Sequence, residues 1–509
     1  MIRIKSGHAM AAAMAALLSA CTVGPDYVRP EQPVPVDFRA SSNERQVLAR
    51  PKSRWWTQFG SAELNALVED ALASNHDVRA AKQRIAQAEA KAGIEAGALL
   101  PTVQGSSKME TGKKSSNSFA QSATVVQQLY QASIEVSYEI DLWGKNRSAM
   151  SAALATAQSS VFERETVVVT LVADVVGTYF QYLQSCERAV VAKRNIENMK
   201  RVLSKVEHRQ RIGEGSELEV YQQATALHNA EAILPVIELT REQQLNRLAY
   251  LVGKSATELK LEGRSLDDVM IPEVSEGLPS ELLLTRPDIR RAEANLVAAN
   301  ANINLARAKM FPSFTLTGER GWASSDLHNL ISPGSIIWTL AGKLAQTIFD
   351  NGKSNSEIAY YEARWNELVE LYRQSIIASL RDVEDSLANI RYSKERDEAQ
   401  GLMVGSARKA FTLSQGAFSI GIVDYLTVLE TERTQYNAED IKIQTRYGRL
   451  SAAVGLFKAL GGSIEPEKEE LRTNPDGTAA PIPAGGAVPG PGDFQNQSSG
   501  LRAYYDIHS

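Results

Sequence analysis

Two stretches of this chain align without a gap, and that duplication limits the folds open to it more than any other feature. Residues 77–103 (DVRAAKQRIAQAEAKAGIEAGALLPTV) match 288–314 (DIRRAEANLVAANANINLARAKMFPSF), pairing Asp77 with Asp288, Arg79 with Arg290, Ala81 with Ala292 and Pro101 with Pro312. Apolar positions pair as well, in Val78/Ile289, Ile85/Leu296, Ile94/Leu305 and Leu100/Phe311. Each copy reads as an Ala-rich helix stopped at a proline, whose ring removes a backbone donor, after which apolar and polar residues begin to alternate. A length of 509 residues would otherwise suggest several domains; a duplication with parallel halves predicts one architecture built twice.

From Ser61, an N-cap residue type, a helical pattern runs to Leu100, and a weakly alternating segment follows Pro101 to about Glu110. Lys113 to Ser122 is a polar loop. The clearest strand signal spans Ala132 to Leu142, where Ile134, Val136, Tyr138 and Ile140 alternate with Ser133, Glu135, Ser137 and Glu139. A half-buried strand of a soluble sheet alternates in the same way. The run has the length of a tilted strand crossing a bilayer, about 9 to 11 residues, which predicts the apolar set facing lipid and Glu135 and Glu139 facing a lumen. In the second copy Ser313–Thr317 and Ser335–Ile348 repeat the pattern, so each half contributes two strands, and Trp143, Trp322 and Trp338 near strand ends are expected to form an aromatic girdle.

Each second strand ends in a glycine-lysine turn, Asp141-Leu-Trp-Gly-Lys145 and Phe349-Asp-Asn-Gly-Lys353. In the second half Ile358, Tyr361, Trp365, Leu368, Tyr372, Ile376, Leu380, Val383, Leu387 and Ile390 then recur at threes and fours, the spacing of a coiled coil. From Lys145 to about His208 the first helix would be on the order of 90 Å long, more than an ordinary domain holds. Both long helices stop at glycine, Gly213 and Gly421, and Ser216 and Asp424 follow at the same spacing ahead of a return helix, so these four residues mark two tip turns. The expected boundaries are a first repeat over 61–254, a linker over 255–279, a second repeat over 280–462 and a Pro/Gly-rich disordered tail over 463–509.

At the N-terminus, Arg3, Lys5 and His8 precede an apolar run from Ala9 to Leu18 and then Leu18-Ser19-Ala20-Cys21, a secretory leader over 1–20. Cysteine directly after small residues resembles the bacterial lipobox, which predicts Cys21 as an acylated mature N-terminus followed by an extended segment over 21–60. Thr22, rather than Asp, favours sorting to the outer membrane. Cys186 shares an apolar stripe with Val168, Val172, Val175, Tyr179, Leu183 and Val190 and reads as a buried small hydrophobe; with Cys21 acylated, no disulfide is expected. No other run was long and apolar enough to predict a transmembrane helix.

A net charge of -5 with Lys and Arg scattered along helices argues against nucleic acid as a partner. The six histidines never fall at metal-ligand spacing, and neither a P-loop nor G-x-S-x-G occurs, so neither enzyme, cofactor nor metal site is expected. Four strands cannot close a barrel, and open edges are forbidden in hydrocarbon, so oligomerisation must supply the rest. Two chains would give a filled barrel and three a lumen.

The lipobox Cys21 with Thr-Val-Gly-Pro-Asp-Tyr after it, the Asp-Leu-Trp-Gly-Lys turn, Arg-Pro-Asp-Ile-Arg at 286–290 and Asp-Tyr-Leu-Thr-Val-Leu-Glu at 424–430 together resemble the TolC-like outer membrane factors, specifically the NodT-type efflux lipoproteins. The resemblance spans about residues 21–462. It implies a mixed fold, a homotrimer with a 12-stranded outer membrane β-barrel and a helical periplasmic tunnel, docked to a periplasmic adaptor and an inner-membrane RND-type pump. It also implies a pore gate of a leucine, an acid four residues on and an arginine three later, which here are Leu426, Glu430 and Arg433; glutamate stands where the family usually has aspartate. The spacing i, i+4, i+7 places them on one helical face. A duct for protein secretion, or a lipid-anchored coiled coil without a channel, would share parts of this sequence pattern.

Overall fold

Each half of the chain spells helix, two strands, long helix and return helix, and the computed structural model, which describes residues 23–35, 38–39, 54–113, 126–262, 265–272 and 286–462, shows them in that order, with one further helix ahead of the first series. The first half runs α1 (Ala62–Ser74), α2 (His76–Gly97), β1 (Thr102–Lys113), β2 (Val126–Ile140), α3 (Lys145–Arg211) and α4 (Glu217–Val252). The second runs α5 (Pro287–Ala308), β3 (Ser313–Ser324), β4 (Ile336–Ala345), α6 (Lys353–Ser419) and α7 (Tyr425–Ala459). The duplicated helices α2 and α5 are both 22 residues, and α3 and α6 are both 67, or about 100 Å each. The fold is mixed, as expected: one four-stranded sheet at one end, long paired helices below it.

Expected helix 61–100 divides in two. Asn75 is buried in an extended conformation, its Oδ1 accepting from the amides of Asp77 (2.9 Å) and Val78 (3.1 Å) while its Nδ2 donates to the Leu251 carbonyl (2.9 Å). A short polar side chain that satisfies backbone groups this well competes with the helical ladder, so the chain stops and restarts. Gly253 permits the junction: a Cβ there would stand 2.7 Å from the Ser74 carbonyl oxygen, and its φ of +73° is a conformation glycine adopts freely.

The helices are held by their apolar stripes. On α6, Tyr372, Ile376 and Val383 are buried against Ile289 and Leu296 of α5 and Leu456 of α7, each such side chain contributing about 1.5–3 kcal/mol. A larger cluster gathers Val172, Val176, Tyr179, Phe180 and Leu183 of α3 with Leu248 and Val252 of α4; there Trp55 stacks on Phe457 at 4.6 Å. Val190 leaves the expected stripe and is 65% exposed although it stands five whole turns from the buried Val172, so what changes along α3 is the packing around it and not the face it shares. Ile94 is likewise exposed although its repeat partner Leu305 is half-buried. Cys186 is half-buried against the large cluster, and burial pushes its thiol above the usual range. One stretch of α3 is long and apolar enough to cross a membrane, against the sequence expectation, but it is mostly buried as the core of the helical body.

The sheet has the order β1-β2-β3-β4, all antiparallel, so a hairpin from each half meets at the β2–β3 boundary. All the strands except β4 run longer than the alternation alone indicated. The segment 114–125, which includes most of the expected polar loop, and the tail 463–509 lie outside the described residues, as do residues 263–264 and 273–279 of the expected linker.

Candidate exit duct and its periplasmic tip

Register sorts the sheet into two faces. Gln104, Glu135, Glu319 and Thr339 form one row, and Val103, Val136, Gly318 and Leu340 the next. On the first face the side chains bond laterally: Gln131 Nε2 donates to Glu319 Oε1 (2.9 Å), Ser106 and Ser133 share a hydroxyl hydrogen bond (3.2 Å), and Lys145 Nζ donates to Glu139 (2.5 Å). On the other face Ile134, Val136, Trp338, Leu340 and Leu344 are exposed in the single chain. An exposed apolar sheet face beside a polar one is the alternation of a barrel wall with lipid outside and water inside. Ile134, Val136, Tyr138 and Ile140 share the apolar face, and Glu135 and Glu139 the polar one, as the alternation predicted.

Trp322 and Trp338 stand on the apolar face in the half of the sheet near the loop 325–335. Trp143 does not join them: it lies below the sheet, stacked on Phe311 at 4.9 Å with Nε1 donating to the Pro312 carbonyl (2.8 Å), and it fastens the strand-to-helix joint. The glycine-lysine turns there are alike. Gly144 and Gly352 have φ of +75° and +83°, and Asp141 and Asp350 accept amides of the first turn of α3 and α6.

At the opposite end the two tips have the same construction. Gly213 (φ +82°) and Gly421 (φ +76°) follow the long helices, with Glu214 N donating to Arg209 O (2.9 Å) and Ile422 N to Ala417 O (2.8 Å), the wrap that lets a left-handed residue close a helix end. Ser216 then caps α4 by accepting from Glu219 N (3.2 Å), with Glu219 returning the bond to the Ser216 amide, and Asp424 caps α7 by accepting from Thr427 N (2.9 Å). The side-chain hydrogen bond from Thr427 holds the Asp424 carboxyl below its ordinary value.

Beyond the second tip, Leu426, Glu430 and Arg433 lie along one exposed face of α7, Leu426 at 58% exposure, and Arg433 Nη2 donates to Glu430 Oε1 at 2.9 Å. The corresponding residues of α4 are Leu218, also exposed, and the uncharged Gln222 and Thr225. The structure thus brings the three expected gate residues together on a surface with an i, i+3 ion pair.

The buried side of α7 carries what the sequence reading missed. Tyr425 Oη donates to Gln223 Oε1 of α4, and Gln223 Nε2 donates to the Met199 carbonyl (3.0 Å), both residues being buried. The Phe418 ring lies 5.7 Å from Tyr425 and under the Arg209 guanidinium (4.7 Å), so the second tip is docked on the first. Two turns beyond Tyr425, Glu432 is 3% exposed, neither carboxylate oxygen has a hydrogen-bond partner among the described residues, and burial pushes its carboxyl up to about 7. It lines a cavity of about 20 Å³ with Arg194, Asn195, Asn198, Gln435 and Glu439, which has room for about one water. Glu439 behaves in the opposite way: although burial raises it, Arg408 (2.7 Å) and Gln435 donate to it and Arg194 pairs with it, so its carboxyl is held below the ordinary value. Tyr425, Val428 and Glu432 fall at i, i+3 and i+7, and an acid at an apolar position of that stripe was the available signal.

Among the described residues no three His, Cys, Asp or Glu side chains gather to hold a metal. Cys21 lies outside the described residues.

The model of the outer membrane efflux protein family matches residues 67–254 and 278–462, more than half of the chain. The chain belongs to that family. It is 35% identical over 452 residues to the pyoverdine export outer membrane protein OpmQ of Pseudomonas aeruginosa, covering 86% of this chain and 95% of that one. It is 30% identical over 454 residues to the toluene efflux pump outer membrane protein TtgI of Pseudomonas putida, covering 88% and 96%. Among solved structures it resembles the outer-membrane channel OprN, with a TM-score of 0.83 at 27% identity, covering 87% of this chain and 99% of that one. The open state of the Neisseria gonorrhoeae MtrE outer membrane channel gives 0.78 at 28%, covering 87% and 98%. As a family member the chain is an outer membrane exit duct of an efflux system. Its sheet leaves β1 and β4 as free edges, and three copies of its four strands supply the twelve of the trimeric barrel.

Proposed function

We propose that this efflux duct is a passive, lipid-anchored channel with no catalytic step of its own, shut at its periplasmic tip by the Leu426, Glu430 and Arg433 faces of three chains. Cargo is handed on by an inner-membrane RND-type pump through a periplasmic adaptor that seats on the tip turns at Gly213, Ser216, Gly421 and Asp424. The single observation that carries the reading is the asymmetry of the tips: two hairpins of equal construction, of which only the second exposes a charged pair beside its leucine. Three like carboxylates near an axis repel unless paired, and an arginine within the same turn supplies the partner. Separation of the hairpins by a partner would then open the duct.

The cargo is read as small organic molecules, a class that spans the pyoverdine and toluene named for the relatives. Lipid attachment at Cys21 is supported by the neighbouring chain. Val23 N donates to the Trp143 carbonyl (3.5 Å) at the base of the barrel, and two residues of chain reach at most about 7 Å further. From there Asn300 donates to the Pro25 carbonyl (3.1 Å) and Arg29 Nε to Glu293 (2.7 Å), which leads the segment down α5 away from the membrane.

Single-channel conductance of the purified trimer in planar bilayers tests the gate. Glu430→Ala and Leu426→Ala should each give larger or more frequent openings, and Gln222→Ala should not; a response from Gln222→Ala alone would place the gate on the other hairpin.

A further inference from the structure

The lipid-facing side of the sheet carries a charge that no described strand residue on that side balances. Register places Gly105, Ile134, Arg320 and Trp338 in one row of the apolar face. Arg320 is exposed in the single chain and forms no ion pair among the described residues. The other side chains of this parity in β1, β3 and β4 are apolar, glycine, serine or threonine, apart from Lys113 at the outer end of β1. Both exceptions are cations. The carboxylates of the strands, Glu110, Glu135, Glu139 and Glu319, all have the opposite parity. Three copies of this chain therefore bring no strand carboxylate to Arg320 from a neighbour; of the two hairpin connections, 114–125 contains neither Asp nor Glu, and 325–335 contains only Asp326, six residues beyond Arg320 and accepting from the His328 amide.

Depth fixes which leaflet is involved. β3 leaves helix α5 on the periplasmic side and runs to the loop 325–335, so its later residues lie toward the exterior. Ile140, paired with Phe314, marks the inner end of the apolar face, and Ile134, paired with Arg320, is six residues above it. At about 3.3 Å per residue and a tilt of about 45°, the Arg320 row stands about 14 Å up a band about 25 Å tall, in the outer half. Trp322 is two residues beyond it on the same face, and aromatic side chains of this kind mark the headgroup level. By the same measure the Arg320 backbone stands about 11 Å below the outer edge of the band, and its long side chain reaches along the apolar face toward the headgroups, where a guanidinium is costly without an anion and suits a phosphate, which it can bind with two parallel hydrogen bonds.

We propose that Arg320 is a binding site for the phosphate of an outer-leaflet glycolipid, one per subunit on the outside of the barrel. The occupant is a lipid because only a lipid sets a phosphate at the outer edge of this face, within reach of an arginine side chain, with acyl chains that cover Ile134, Val136, Leu340 and Leu344. The trimer is extracted from cells, washed in neutral detergent and analysed by native mass spectrometry for lipid A retained per trimer. It is then reconstituted in phosphatidylcholine vesicles with phosphorylated or phosphate-free lipid A. Wild type should retain phosphorylated lipid A about tenfold better than Arg320→Gln, and Lys343→Gln, which removes a lumen-facing cation, should match wild type. Phosphate-free lipid A should not distinguish wild type from Arg320→Gln. If Arg320→Gln does not assemble, Arg320→Lys keeps the charge without the two-pronged geometry and should retain less than wild type. Equal retention by wild type and the Arg320 variants overturns the assignment, as does equal retention of phosphate-free lipid A. Displacement by millimolar inorganic phosphate would give the site to a free anion and overturn the lipid reading.

Discussion

Glu432 should make the packing of the two tips weaken as pH rises. Its carboxyl is raised from 4.5 to about 7 by burial, so in the folded hairpin it keeps its proton over a range in which the unfolded chain has lost it. Below about pH 4.5 both states are protonated and the group has no effect; between 4.5 and 7 ionisation increasingly favours the unfolded or undocked state, and above 7 the penalty levels off. At 1.36 kcal/mol per unit, the shift corresponds to about 3 kcal/mol per chain, an order-of-magnitude figure. The neighbouring groups do not titrate with it. Arg408, Gln435 and Arg194 keep Glu439 ionised, and burial raises the phenols of Tyr425 and Tyr436, which stay neutral. Glu432→Gln removes the titration while keeping the shape, at a cost that does not vary with pH. Urea unfolding of the solubilised trimer, followed by helical circular dichroism at about pH 5 and about pH 8, should show wild type losing about 2.5 kcal/mol relative to Glu432→Gln between the two conditions, the remainder being lost already below pH 5. Parallel behaviour of the two proteins would refute the reasoning, because it would mean that the carboxyl is solvated or paired in the assembled trimer.

On the barrel wall, Val136→Arg should cost about 2–4 kcal/mol and reduce recovery of assembled trimer, whereas Glu135→Arg should not; equal recovery would remove these strands from the membrane. Tyr425→Phe leaves the buried Gln223 Oε1 without its donor, a loss of about 1–3 kcal/mol that should appear as a lower unfolding midpoint and more frequent channel openings; wild-type values for both would show that the tips are not docked through this bond. Intact mass of membrane-extracted protein should lack residues 1–20 and carry acyl chains on Cys21, and an unmodified cysteine would exclude the anchor.

What the sequence determined by itself is whatever depends on neighbours close in the chain. The stripe from Ile358 to Ile390 is visible because an amphipathic helix repeats every few residues, and all ten of its positions are buried or half-buried. The parity of Ile134, Val136, Tyr138 and Ile140 follows from the two-residue period of a strand, and the tips at Gly213 and Gly421 from the left-handed conformation that ends a helix. Tertiary structure decided the rest, because it concerns residues far apart in the chain. Asn75 breaks an otherwise continuous helical pattern because Leu251, 176 residues away, accepts its amide. Trp143 became a joint instead of a girdle residue because Phe311 and Pro312 come beneath it. Arg320 is conspicuous only once the register sets it beside Ile134, and Glu432, an ordinary helix glutamate in the sequence, is a buried acid only because α3, α6 and α7 close around it. Periodicity records which face of an element is apolar, but only packing determines which of its polar residues is shut in with that face.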